Sequence, residues 1–220
     1  MAKLDLVTIP RAIYAVARVT PEGNAVLGTA FLVGKSRLAT AAHLTGGDDR
    51  GLVILLNDYK SFGEYQETKE RQIQYSAVRI HAIDTFRDIC ILAPEGDIEA
   101  HYKIGSTDLV VPGQTAVTFG FPHANTGRIV LTQQNVQVGA KVIIETGAIS
   151  GKHLVLNTFA QPGQSGSPVF DLEIETVVAM ILGAYAPAGG GGISLGGVNP
   201  AALNQTTHAV SAEYITKMIS

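Results

Sequence analysis

Gly163-Gln164-Ser165-Gly166-Ser167-Pro168, continuing into Val169-Phe170-Asp171, is the stretch from which the rest of the chain is read. Glycines two residues before and one residue after Ser165 accept backbone angles that a side chain resists. The segment therefore reads as a tight turn that presents one hydroxyl, and Pro168 opens a β-like run after it. A serine hydroxyl is a weak nucleophile unless it stands exposed beside a base. Acyl transfer also needs backbone N–H groups aimed at a developing oxyanion. This turn can supply both; the plainer alternative is an ordinary Gly/Ser/Pro turn between strands.

Working outward, the apolar pattern is β nearly throughout, with short Val/Ile/Thr/Phe-rich runs between Gly, Pro, Asn and Asp. Strands are predicted at 12–19, 26–33, 37–40, 52–57, 75–83 and 89–92. A second set is predicted at 115–120, 128–137, 141–148, 153–157, 168–171, 176–183 and 206–210. The polar, turn-rich stretch 94–113 divides the two sets. Many short strands at regular spacing point to barrels or a sandwich. One helix is expected at the end, capped by Ser211, with Glu213 in its first turn and Tyr214, Ile215, Met218 and Ile219 on its apolar face.

Two more segments carry chemistry. Leu38-Ala39-Thr40-Ala41-Ala42-His43 is a β-like run that ends in very small residues before a histidine. Such residues let the chain tighten and hold an imidazole at a rim, oriented and still reachable, as a general base requires. A strand-end histidine with a structural hydrogen bond is the alternative. In Arg87-Asp88-Ile89-Cys90-Ile91-Leu92 a carboxylate immediately precedes four apolar residues. Close to a core it needs a partner to stay ionised, and the Nδ1–H of His43 would serve.

In that order, GTAFLV…LATAAH, RDICIL and QPGQSGSPVF resemble the histidine, aspartate and nucleophile blocks of chymotrypsin-like serine proteases. The similarity is closest to short, disulfide-free HtrA-like bacterial enzymes. The resemblance implies an all-β fold of two six-stranded antiparallel barrels with a short C-terminal helix. Residues 1–96 would form the barrel carrying His43 and Asp88, and 97–220 the barrel carrying Ser165. It implies a serine endopeptidase with Ser165 as nucleophile, His43 as base and acid, Asp88 as orienting carboxylate, and an oxyanion hole from the N–H groups of Gly163 and Ser165. Substrate contacts are expected from Phe159, Ala160, Ile181, Leu182, Gly183 and His208. Phe159 falls where trypsin-like enzymes place an acid, which argues against a Lys or Arg preference. His208 would favour an acidic residue if it pointed into the pocket; otherwise it is a strand histidine, and a small or medium apolar residue is the expected preference. The family more often has Asn or Asp at 164 and Gly at 167, where this chain has Gln and Ser. No peptide-sensing PDZ-like segment and no trypsin-type activation step are expected.

Composition excludes several other classes. The net charge is −3 and the pI about 6.0, which gives no footprint for nucleic acid or an anionic membrane. The histidines show no i,i+4 pairing and Cys90 is the one cysteine, so no metal and no other cofactor is expected, and no disulfide is possible within the chain. Cys90 reads as a buried core thiol. With no signal-like N-terminus, a cytoplasmic location is expected. The partner expected is a protein or peptide substrate. The glycine-rich stretch 184–200 reads as a mobile surface loop beside the pocket. An α/β-hydrolase elbow would need glycine at 167 and a helix after the serine, where this chain has Ser167 and a β-like run. The non-enzymatic alternative is a catalytically silent protease-like fold acting as a protein-binding module.

Overall fold

A computed structural model describes residues 11–21, 23–56, 61–68, 73–99, 102–185 and 206–219. The first six strands are β1 (Ile13–Thr20), β2 (Gly23–Gly34), β3 (Arg37–Ala41), β4 (Leu52–Leu55), β5 (Tyr75–Asp84) and β6 (Ile89–Pro94). They close into an antiparallel barrel in the order β1-β2-β3-β6-β5-β4. Next come a two-residue strand β7 (Lys103–Ile104), then β8 (Thr115–Gly120), β9 (Thr132–Thr146), β10 (Ile149–Leu156), β11 (Pro168–Asp171), β12 (Thr176–Tyr185) and β13 (Thr206–Ser211). The order β11-β8-β9-β10-β13-β12 closes through a β11–β12 pairing into a second six-stranded barrel, with β7 added in parallel on β12.

Because side chains alternate along a strand, each buries two sets of residues. Tyr14, Val16, Leu32, Leu38, Cys90 and Leu92 form a cluster confined to the first barrel. Val136, Val138, Leu154, Leu156, Val169 and Ile181 do the same in the second. The intervening residues Ile13, Phe31 and Ile91 join Phe119, Phe121, Phe170 and Met180 in one cluster shared by both barrels. Phe119 and Phe170 meet edge to face at 5.8 Å, and Tyr102 packs on Phe170 at 5.1 Å, favourable ring geometry for such a seam. The cluster therefore fixes the two barrels against each other, and side chains of the first barrel can be held over the second.

Three expectations change. The predicted strands 128–137 and 141–148 are one strand, β9. Gly139 marks a bulge within it rather than a turn: Val138 pairs with Leu156 and Ala140 with Val155, leaving one extra residue between. A Cβ there would lie 3.2 Å from Val155 O and 2.4 Å from the end of the Asn157 side chain, which would have to move, so glycine eases the close approach. Second, the dividing stretch contains β7 and a 3-10 turn at Thr107–Leu109. Third, Ser211 does not cap the C-terminal helix. It ends β13, and its hydroxyl accepts from the N–H of Thr107 instead. The expected helix itself is present, and after the one-turn helix α1 (Ala42–Thr45) it is α2 (Glu213–Ile219), with Ile215 buried and Tyr214, Met218 and Ile219 against the shared core.

Candidate active site

The register of β3 against β6 builds the first half of the site. Ala41 pairs with Ile89, so the next residue of one strand meets the residue before the other: Ala42 N–H donates to Asp88 O at 3.1 Å. The chain then enters α1, and His43 falls directly over Asp88. Asp88 Oδ1 accepts from the His43 backbone N–H at 2.7 Å, and Oδ2 lies 2.6 Å from His43 Nδ1. A carboxylate cannot donate, so Nδ1 carries the proton and Nε2 is left to face outward. The His43 side chain is 47 % exposed, and substrate-sized groups can reach it. Asp88 has φ 57°, in the left-handed region that Asp tolerates better than most residues; this turns its carboxylate back under the imidazole.

The second half is the turn around Ser165, pinned from three sides. Thr29 N–H of the first barrel donates to Ser165 O at 2.9 Å; Gly166 N–H donates to Ile181 O and Ile181 N–H to Ser167 O, both at 2.8 Å. Gly166 has φ 85°, and a Cβ there would lie 2.0 Å from Thr29 O, so no other residue fits. Pro162 O accepts from His123 N–H at 2.7 Å. Across that trans peptide the Gly163 N–H points the opposite way, into the site. Gln164 N–H is taken by Gln161 O, and Ser167 N–H by Gln164 O. Among the described residues, Gly163 and Ser165 are thus the members of 163–167 whose N–H groups have no acceptor in the protein. Such a pair is what an oxyanion can use.

Ser165 Oγ donates to Leu182 O at 2.8 Å and makes no hydrogen bond to His43. Leu182 is the extra residue of a bulge, since Ile181 pairs with Ala209 and Gly183 with His208, and this frees its carbonyl. Gly183 follows beside the serine, where a Cβ would lie 3.7 Å from Ser165 Oγ, an ordinary contact distance.

The remaining substrate residues expected from sequence scatter. Phe159 is 51 % exposed on the surface, and Ala160 is half-buried against the second-barrel cluster. The Ile181 side chain is buried in that cluster; its contribution is the backbone pair that holds the serine turn. His208 does not reach the 158–160 segment. The neighbouring Thr207 does, accepting from Ala160 N–H at 2.9 Å and donating to Thr158 O at 2.8 Å. Alternation along β13 sends His208 to the other side, into a cavity it shares with Asp88, Leu182 and His153. Residues 186–205, with most of the predicted glycine-rich loop, lie outside the described residues.

Sequence reasoning missed three supporting residues. Thr29 is fully buried; its hydroxyl donates to Gly163 O at 2.8 Å and accepts from Phe121 N–H at 3.2 Å. A threonine inside an apolar run is the available signal, because a buried hydroxyl needs partners. Gln134 on β9 accepts from Gln164 Nε2 at 3.1 Å and donates to Thr158 Oγ1 at 2.5 Å, while Gln164 Oε1 accepts from Gln161 N–H at 2.7 Å. This uncharged chain of amides occupies the place of the departure at 164. His123, at φ 62°, aims the N–H that orients the Pro162–Gly163 peptide.

Burial pushes the Cys90 thiol up to about 11, which leaves it unreactive beside the site. Burial also lowers His153 and His208 below the ordinary imidazole range. Among the described residues no cluster of three His, Cys, Asp or Glu could hold a metal ion, and no helix is long and apolar enough to cross a membrane.

No curated protein matches this sequence. Among solved structures, the apo protease domain of MamO from Magnetospirillum magneticum superposes with a TM-score of 0.68 at 15 % identity, over 96 % of each chain. The HtrA-type protease AlgW with a tripeptide gives 0.66 at 15 % identity, over 94 % of this chain and 58 % of its own. The inactive form of a serine-to-alanine mutant of Rv3671c from M. tuberculosis gives 0.62 at 14 %, over 100 % of this chain and 93 % of its own. At these identities the likeness is one of fold, and that fold is the two-barrel chymotrypsin architecture. Residues 28–180 match the model of the trypsin-like peptidase domain, and by that match the chain belongs to the trypsin-like peptidase family.

Proposed function

We propose that the protein is a serine endopeptidase that hydrolyses peptide bonds through an acyl-enzyme, with Ser165 as nucleophile, His43 as base and acid, and Asp88 as the carboxylate that orients it. The observation that carries this reading is the pair of N–H groups on Gly163 and Ser165, left without protein acceptors beside a carboxylate-held imidazole.

Ser165 Oγ must leave Leu182 O before it can attack. Beyond its pairing with β11 at 176–180, β12 is paired on one edge only, by β13, among the described residues. An extended peptide adding to the open edge would donate an N–H to the Leu182 carbonyl. That displaces the serine hydroxyl, which rotates about χ1 toward His43 Nε2. Oγ then attacks the scissile carbonyl carbon as its proton passes to Nε2. The carbonyl oxygen becomes an oxyanion held by the N–H groups of Gly163 and Ser165. Collapse expels the amine, which takes the proton from Nε2, and leaves an ester on Ser165. Water, deprotonated by His43, repeats the sequence and releases the acid. Asp88 keeps its proton count throughout and stabilises the imidazolium. Base catalysis of this kind contributes roughly 10²–10⁴ in rate, and an oxyanion donor roughly 10²–10³.

Peptide substrates are supported by analogy with AlgW, whose structures hold a tripeptide and a decapeptide. One observation favours the alternative of a silent binding module: the resting hydroxyl sits on Leu182 O rather than on His43. Digestion of an unstructured peptide library separates the two. Cleavage by the native chain and none by Ser165→Ala is the expected result; equal, zero cleavage by both supports the binding module.

A further inference from the structure

A cavity of about 150 Å³ opens beside Asp88 and Leu182, the residues that hold His43 and Ser165 Oγ. It therefore adjoins the site and the open edge of β12. A cavity of this size takes a benzene ring. Four of its ten lining residues are apolar side chains, Phe86, Ile144, Ile149 and Leu182, and Thr146 and His208 are among the polar ones. Phe86 is 53 % exposed, an aromatic face that core packing leaves in use for something else.

The polar groups are arranged unequally. Arg87 is already paired with Asp84 at 2.8 Å and Asp88 with His43, so neither charge awaits a counter-ion from a ligand. Both charges, close to a small, partly apolar volume, disfavour an acidic or a basic occupant. His153 is buried in the wall, and its Nδ1 lies 3.1 Å from Gly151 O. A carbonyl only accepts, so Nδ1 is the protonated nitrogen and Nε2 holds a lone pair with no partner among the described residues. Burial lowers the pKa of this ring, the bond to Gly151 O works against that, and His208 and Arg87 nearby lower it further. Gly151 makes the room, since a Cβ there would lie 3.0 Å from His153 Cε1 and 3.8 Å from Arg87 Cγ.

We propose that this cavity is a substrate subsite for a tyrosine side chain, the ring packing against the apolar side chains and the phenol donating to His153 Nε2. The inference rests on the proteolytic reading of the site. A ring without a donor, as in phenylalanine, leaves a buried acceptor unpaired, and a site built to bond a hydroxyl discriminates strongly against the analogue lacking it.

The test uses peptides carrying Tyr, Phe, Leu or Ala at each position around the cleaved bond. At one position Tyr should exceed Phe by about tenfold or more in kcat/KM. His153→Leu should bring the Tyr-to-Phe ratio to near one. Gly151→Ala should lower both Tyr and Phe relative to Ala, because the methyl group narrows the cavity. Calorimetric binding of the same peptides to Ser165→Ala reads the ranking without turnover. Equal affinity for Tyr and Phe peptides overturns the subsite even if proteolysis is confirmed. Absence of cleavage with a retained Tyr preference in binding overturns the proteolytic reading and leaves the subsite standing.

Discussion

Thr29→Val isolates the contact by which the first barrel holds the oxyanion turn of the second. Valine keeps the shape and the strand preference of threonine and removes one hydroxyl. That hydroxyl serves two buried backbone groups, Gly163 C=O at 2.8 Å and Phe121 N–H at 3.2 Å, and both are left without partners. Each orphaned group costs about 1–3 kcal/mol, while the added apolar group returns about 0.8 kcal/mol. The net loss is about 1–5 kcal/mol, or about 2–20 °C in Tm for a chain of this length. Gly163 is also one of the two proposed oxyanion donors, so any part of the loss felt there should slow acylation, about tenfold for each 1.4 kcal/mol. Urea unfolding gives the first quantity, and the rate of fluorophosphonate labelling at Ser165 gives the second. A variant within about 0.5 kcal/mol of the native protein, labelling at the native rate, would refute the reasoning.

The other expectations use the same site. Ser167 Oγ is buried without a partner among the described residues, so Ser167→Ala should raise stability by about 1 kcal/mol, read from urea midpoints; a loss of about 1 kcal/mol would show a missed partner. Asp88→Asn keeps a residue suited to φ 57° but offers one acceptor oxygen where two hydrogens need one. It should lower kcat by about 10³–10⁴ with little change in fold, as judged by circular dichroism. His153 and His208 have lowered folded values, so below the unfolded value of about 6.5 the unfolded chain binds more protons than the native one. Stability is therefore full above about pH 6.5 and falls as pH drops through the folded values; His153→Leu should flatten that slope in urea melts between pH 7.5 and 5.

Much of this was legible in the sequence for reasons of strand physics. Alternating Val, Ile and Phe runs bounded by glycine and proline located the strands, and β-structure directly after Pro168 excluded a helix behind the serine. The pairing of His43 with Asp88 was inferable as chemistry, but the register that creates it, Ala41 opposite Ile89, is a tertiary fact. The break predicted between 137 and 141 is a bulge at Gly139, and a bulge and a strand end look alike until the partner strand is known. For His208 the sequence left two readings open, a pocket-facing group and a strand histidine, for a related reason. A shift of one residue along β13 exchanges the 158–160 wall for the cavity beside Asp88, and no local pattern fixes that parity. Thr29, Gln134 and His123 act through hydrogen bonds to residues 24 to 134 positions away, a distance over which local sequence carries no signal.

The central claim is that Ser165 is an armed nucleophile, and mapping a fluorophosphonate adduct by mass spectrometry tests it most directly. A single adduct on Ser165 is expected, absent from Ser165→Ala and strongly slowed in His43→Ala. A folded native protein that takes no label at Ser165, with or without a bound peptide, would contradict it.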